Sequence, residues 1–207
     1  MEIRQPPILS GMAYIDTIHE SDAKGRLADL YHRFGNPDGT VDNVMKVHSL
    51  NPESLEAHGA LYIQAMHRPS PVTRAEREMI GVVVSRLNRC DYCQVHHAAG
   101  LRRLLPPERS SLADTLANGR PNGLTERESA IVNLARQLTN EPAAMRAGNM
   151  NDARAAGLSD REILDVIQTA AYFAYANRIV LGLGAEVEGT DKIGQWPDTE
   201  NQSCPKR

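Results

Sequence analysis

Three times along the chain a Ser or Thr is followed three residues later by a Glu and then by a long apolar run: Thr73 with Glu76, Thr125 with Glu128, and Ser159 with Glu162. An apolar residue precedes each pair, namely Val72, Leu124 and Leu158. This is the pattern of a helix capping box, in which the hydroxyl accepts from a first-turn amide and the Glu reaches back to the amide of the capping residue. The first run holds Met79, Ile80, Val83, Val84 and Leu87, and the third holds Ile163, Leu164, Val166 and Ile167. Stripes that wide predict helices buried over much of their surface. No segment reads as a β-strand, so the pattern predicts an all-α helical bundle.

Other helical punctuation surrounds the boxes. Leu27, Leu30, Tyr31 and Phe34 fall on one helical face, and Gly35 supplies a stop. Asn51 before Pro52 predicts an N-cap and first-turn proline for a helix running to about His67, with Leu55, Leu61, Tyr62 and Met66 on its apolar stripe. The recurrence suggests an internal duplication of a helical unit. Setting Glu162 over Glu76 places Ala176 at the position of Cys90 and Ile179 at that of Cys93, so only the first copy would carry thiol chemistry. One domain is expected, divided into an N-terminal helical part (1–70), a redox-active helical unit (71–118), a second, degenerate unit (119–187) and a polar C-terminal arm (188–207). The arm, with its lone Trp196, is expected on the surface, with a neighbouring subunit as one place for it to lie.

A chain of 207 residues can bury roughly 70% of its unfolded surface and needs no disulfide staples. The net charge of −3 is spread through the sequence, and aromatics make up only 4%, so neither a basic patch nor a stacking surface for nucleic acid is present. No apolar stretch approaches the ~18 residues of a membrane span. Met1 to Ser10 lacks the apolar core of a signal peptide, and the expectation is a cytoplasmic protein. Three cysteines are an odd number for a disulfide scaffold. In a reducing compartment a close pair is more often redox-active or metal-binding than structural. Cys204, in the polar tail beside Pro205, is read as a bystander.

The informative stretch is Cys90-Asp91-Tyr92-Cys93-Gln94-Val95-His96-His97. If a helix begins near Cys90, with Asn88 and Arg89 marking the break before it, positions 90, 93 and 97 share one face. A thiol in the first turn meets free amides and the positive end of the helix dipole, which favour the thiolate. An imidazole one turn after Cys93 can accept or relay a thiol proton. Buried apolar filler is the plain alternative for the two cysteines, although Asp91 and Gln94 interrupt an apolar setting. Zinc is the other, since Cys90, Cys93, His96 and His97 offer four donors. Adjacent helical histidines diverge by about 100°, however, and no second Cys pair exists, so neither a metal nor a resident cofactor is expected. His96 is read as a structural or surface residue. Glu78, taken alone, reads as a solvated surface carboxylate.

The segment 73–101 resembles the alkylhydroperoxidase D-like branch of the carboxymuconolactone decarboxylase superfamily, especially its uncharacterised peroxidase-related subgroup. The family pattern of a Glu, a Cys-x-x-Cys and a His four residues on is matched by Glu78, Cys90, Cys93 and His97, with twelve residues from the Glu to the first Cys. Segments 41–66 and 171–184 also resemble the subgroup. The resemblance implies an all-α fold of two related helical units and a homo-oligomer, often a trimer or hexamer. It implies reduction of organic hydroperoxides, in which Cys93 takes the oxygen, Cys90 resolves it as a disulfide, and Glu78 with His97 relays protons. A dithiol or thioredoxin-like protein would be the electron donor. The second expectation, from a different class, is a non-catalytic or redox-sensing helical oligomer whose Cys pair binds a metal or a dithiol partner.

Overall fold

The computed structural model describes residues 11–189 and 193–194. Among them the helices are α1 (Arg26–Phe34), α2 (Asn43–Lys46), α3 (Pro52–Met66), α4 (Arg74–Leu87), α5 (Asp91–Leu104), α6 (Ser111–Ala117), α7 (Glu126–Asn140), α8 (Ala147–Ala155) and α9 (Asp160–Leu183). The described residues contain no strand.

All three capping boxes form, on α4, α7 and α9. In the first, Glu76 N–H donates to Thr73 Oγ1 at 3.2 Å while Thr73 N–H donates to Glu76 Oε2 at 2.7 Å. The structure also brings the boxes together, which their spacing in the sequence does not announce. Arg127, near the start of α7, reaches Glu76 of the α4 box and Glu162 of the α9 box, each at 2.7 Å. Arg109 pairs with Glu128 of the α7 box at 2.7 Å. Each capping carboxylate thus faces a guanidinium as well as a helix N-terminus, and α4, α7 and α9 start from one end of the bundle.

Helix α4 is the central element. Every residue from 76 to 85 is buried, and the helix packs against α5, α6, α7 and α9. One side of it belongs to a core with Leu55, Met66, Ile80 and Phe173, and the other to a core with Met79, Val82, Leu101 and Leu116. Burying a side chain of this kind stabilises the fold by about 1.5–3 kcal/mol.

Two residues assigned to apolar stripes stand outside the core. Leu61 is 44% exposed and Leu164 is 50% exposed. The stripes are wider than the chain's own core can cover. On α9 the inward positions are filled by Ile163, Val166, Ala170 and Phe173, which leaves Leu164, Tyr175 and Leu181 facing outward. Helix α9 also runs unbroken through Ala176, with no counterpart there to the break after Leu87. Among the described residues, no helix is long and apolar enough to cross a membrane. Trp196, Cys204 and residues 1–10 lie outside the described residues. The described part of the arm lies on its own chain, where Glu188 and Gly194 contact α5.

Candidate active site

The site grows out of the break between α4 and α5. Asn88 caps α4, Arg89 takes a positive φ of 57°, and Cys90 becomes the N-cap of α5. A left-handed non-glycine residue is uncommon and is held here by its surroundings. Cys90 N–H donates to Ser85 O at 2.8 Å, and Gln94 N–H donates to Cys90 O at 3.0 Å. Asn177 of α9, wholly buried, fastens the break from the side. Its Nδ2 donates to Ser85 Oγ at 3.1 Å, and its Oδ1 accepts from Asn88 Nδ2 at 2.9 Å.

Cys90 and Cys93 are both buried free thiols. Their surroundings separate them. The Cys93 thiol beside it draws Cys90 below the usual thiol range despite burial, helped by the Cys93 amide and Asn177. No capping hydrogen bond of regular geometry closes on the Cys90 side chain, so this effect is that of a nearby dipole. Cys93 is pushed well above the ordinary value, first by its proton being held toward Cys90 and then by burial and the charge on Cys90. Of the two thiols, Cys90 is therefore the one that gives up a proton more readily.

His97, one turn after Cys93, turns toward α4. Its Nδ1 lies 2.5 Å from Glu78 Oε2, and the Glu78 side chain is fully buried. Arg74, one turn earlier on α4, donates to Glu78 Oε1 through Nε at 3.0 Å and Nη2 at 2.7 Å. Burial alone would raise the Glu78 carboxyl, but His97 and Arg74 outweigh it and hold the group below its usual range. Arg74 also reaches Met66 O at 3.2 Å and the His67 ring at 2.7 Å. Burial, then Arg74, depresses His67 to about 3, which suits a neutral ring accepting from the guanidinium. Gly81 makes room for this arrangement: a Cβ there would lie 2.5 Å from the Phe173 ring and 3.1 Å from His97 Cγ. Phe173 instead stands edge-on to His97, with ring centroids 4.5 Å apart.

The structure thus joins Glu78 directly to His97 and sets Cys90 and Cys93 together at the start of the same helix. His96 is not a surface residue. It is buried, and its Nε2 lies 2.8 Å from Glu188. With His96 committed to Glu188 and His97 to Glu78, the two imidazoles serve different carboxylates. Among the described residues, no cluster of three or more His, Cys, Asp or Glu side chains is arranged to hold a metal ion. Sequence reasoning did not single out Arg74, Asn177 or Glu188. The i, i+4 spacing of Arg74 and Glu78 is a usable signal. Asn177, a lone amide in an apolar run, offers a weaker one. For Glu188, 92 residues from its His96 partner, the sequence offers none.

Comparison with known proteins bears on this geometry. Residues 52–105, which run from α3 through α5, match the carboxymuconolactone decarboxylase family. An uncharacterized peroxidase-related protein from Ralstonia eutropha JMP134 with an alkylhydroperoxidase AhpD core is 23% identical; the match covers 91% of this chain and 97% of that one, with a TM-score of 0.79. An uncharacterized peroxidase-related protein from Silicibacter sp. TM1040 is 28% identical over 88% of this chain and 95% of that one, with a TM-score of 0.76. The apo debrominase Bmp8 is 17% identical over 87% and 93%, with a TM-score of 0.68. No curated protein matches the chain. The fold is therefore the all-helical one shared with these alkylhydroperoxidase-like structures.

Proposed function

We propose that this chain is a thiol-dependent peroxidase that reduces organic hydroperoxides through Cys90 and Cys93. The observation that supports this reading best is the pair of buried free thiols at the start of α5, the helix whose His97 is bonded to the buried Glu78. Cys93 gives up its proton, and its thiolate attacks the distal peroxide oxygen. The O–O bond breaks, leaving a Cys93 sulfenic acid and an alkoxide that takes a proton to become the alcohol. The Cys90 thiolate then attacks the Cys93 sulfur and displaces hydroxide, which is protonated to water as the disulfide forms. Glu78 and His97 carry these protons. A dithiol donor of thioredoxin type restores the pair by exchange, being itself oxidised to a disulfide.

A depressed Cys90 suits the second step of this order. The same lowering favours the reverse order as a second reading, with Cys90 attacking first and Cys93 resolving. We take 71–118 as the redox-active unit and 119–187 as its degenerate companion, which contributes Asn177 to the thiol pair. The protein would act as a cytoplasmic homo-oligomer, trimer or hexamer, with the outward Leu61, Leu164, Tyr175 and Leu181 supplying contact surface.

The test is consumption of cumene hydroperoxide with a panel of dithiol donors, comparing wild type with Cys93→Ser. Because a debrominase shares the fold, a halogenated aromatic compound is the control electrophile. Turnover of the hydroperoxide, lost in the variant, supports the proposal. A disulfide that forms and reverses without turnover would instead make the chain a redox sensor and overturn it.

A further inference from the structure

Beyond the Cys pair, α5 receives its most distant polar contacts from the chain that follows α9. The Glu188 carboxylate accepts from Tyr92 Oη at 2.7 Å and from His96 Nε2 at 2.8 Å, and Asn43 N–H donates to it as well. Asn43 Nδ2 donates to Glu186 O at 2.8 Å, and Val44 N–H donates to Tyr92 Oη at 3.2 Å. Farther along, Gly194 N–H donates to His96 Nδ1 at 3.4 Å, and Arg103 holds the Ile193 carbonyl at 2.7 Å and the Gly194 carbonyl. Gly194 has a φ of +68°, and a Cβ on it would lie 2.9 Å from Ala99 Cβ and 3.0 Å from Gly100 N. Only glycine fits both that backbone and that approach.

Tyr92 immediately precedes Cys93, and His96 lies one turn after it. Their rings stack at 4.6 Å with 23° between planes, so one carboxylate fixes a stacked pair whose members flank the thiol in sequence. We propose that Glu188 is a positioning residue for the thiol pair: carried onto α5 by the strap at 185–189 and 193–194, it clamps Tyr92 and His96 and keeps Cys93 shielded from solvent under a fixed negative charge. The proposal deepens the thiol chemistry above, and its test reads the thiol directly, so it is separable from peroxide turnover.

Besides Glu188, the titratable groups that interact with Cys93 include Cys90 of α5 and Tyr172 of α9, and Asp42, just ahead of α2, acts on Glu188 and His96. Burial, joined by the charge of Glu188, pushes Asp42 up to about 6 against a hydrogen bond from Asn36. Measurement above pH 7 therefore keeps Asp42, Glu78 and Glu188 ionised throughout. Among the causes that raise Cys93, Glu188 comes after Cys90 and burial. Replacing Cys90 by Ser removes the charge of that larger neighbour and lets the effect of Glu188 be read.

The experiment is alkylation of Cys93 by iodoacetamide in the full chain, followed by peptide mass spectrometry from pH 7 to 10, in Cys90→Ser alone and combined with Glu188→Gln or Glu188→Ala. Glu188→Gln keeps the shape and removes the charge. Its midpoint is expected to fall by about half a pH unit, which is about a threefold faster reaction at pH 7. Glu188→Ala also removes the clamp, and a larger increase is expected, together with faster proteolysis after α9. If Glu188→Ala does not fold, the isosteric Glu188→Gln still decides the matter. Superimposable profiles for Cys90→Ser and Cys90→Ser/Glu188→Gln, or slower alkylation in the latter, would overturn the proposal. An enzyme inactive toward every peroxide would sink the peroxidase reading and leave this result standing.

Discussion

His97 and Glu78 share a hydrogen bond of 2.5 Å in a buried site, and Arg74 holds the other carboxylate oxygen at 2.7 Å. The carboxylate is thus committed on both sides and is held ionised. Where Nδ1 of His97 is the protonated nitrogen, it donates to Glu78, which then fixes the orientation of the ring. A carboxylate that sits outside the solvent and between two cationic or donating groups has little reason to be there for stability alone.

Glu78→Gln and Glu76→Gln should therefore behave differently. Glu78→Gln leaves Arg74 buried without its counter-charge, and a loss of about 3 kcal/mol is expected, with turnover falling about a hundredfold as the oriented base is lost. Glu76→Gln weakens one capping box and its bridge to the partly exposed Arg127, which should lower stability by about 1 kcal/mol or less and leave turnover intact. Denaturation and peroxide assays on the two proteins check this. Equal kinetic losses would reduce Glu78 to a structural residue.

The order of attack is read by dimedone labelling. If Cys93 takes the oxygen, Cys90→Ser should accumulate a trappable sulfenic acid on Cys93 under dilute peroxide, and Cys93→Ser should form none. Label on Cys90 in the Cys93→Ser protein, with none on Cys93 in the other, would establish the order favoured by the lowered Cys90 thiol.

The helices were legible because their determinants are local. A hydroxyl and a carboxylate three residues apart specify a helix start whatever the rest of the chain does, and Asn51–Pro52, Thr73, Thr125 and Ser159 all begin helices as their spacing predicts. The break at Asn88 and Arg89 was legible for the same reason. The burial of Glu78 was not. On a helix it looks like any i, i+4 partner of an Arg, and its setting follows from α4 being enclosed on all sides, a property of the assembled bundle. The roles of Asn177 and Glu188 depend on contacts across 92 residues in each case, to Ser85 and to His96. Leu61 and Leu164 were misplaced because periodicity identifies an apolar face without saying whether this chain supplies what covers it.

Asn177→Ala tests one of those long-range contacts. It removes the amide that bonds to Ser85 and Asn88 and helps draw both thiols down. Leaving buried partners unsatisfied should lower stability by about 1–3 kcal/mol. The alkylation midpoint of Cys90 should also rise, and Asn177→Asp should not restore it, because a carboxylate adds negative charge. An unchanged Cys90 profile in a folded Asn177→Ala protein would confine Asn177 to a structural role.

Subunit association is predicted from the outward apolar residues of α3 and α9. Replacing Leu164 and Leu181 with Lys should shift the sedimentation profile toward smaller species without changing helix content. A wild-type protein that sediments as a stable monomer at micromolar concentration would remove the prediction.

The last prediction concerns acid stability and His58. This residue is buried on α3, with its ring 4.6 Å from that of His48 and 5.9 Å from that of Tyr172. Neither of its ring nitrogens has a hydrogen-bond partner among the described residues, and His48 Nε2 is in the same position. Burial, with a smaller effect from His48, depresses His58 to about 3. An unfolded chain binds a proton at this histidine near pH 6.5, whereas the folded chain does not until far lower pH. Stability therefore falls as pH drops below about 6.5, by up to about 1.4 kcal/mol per pH unit for one such site. His67, also held near 3, adds a second slope of the same sign. His58→Phe keeps a ring in the position and removes both the orphaned nitrogens and one proton-uptake site. Its unfolding free energy should accordingly decline less between pH 7 and pH 5 than that of wild type, by about 2 kcal/mol over the interval. Urea titrations at pH 7, 6 and 5 on both proteins give the comparison. Parallel pH dependences would mean that His58 takes up its proton in the folded state as readily as in the unfolded one.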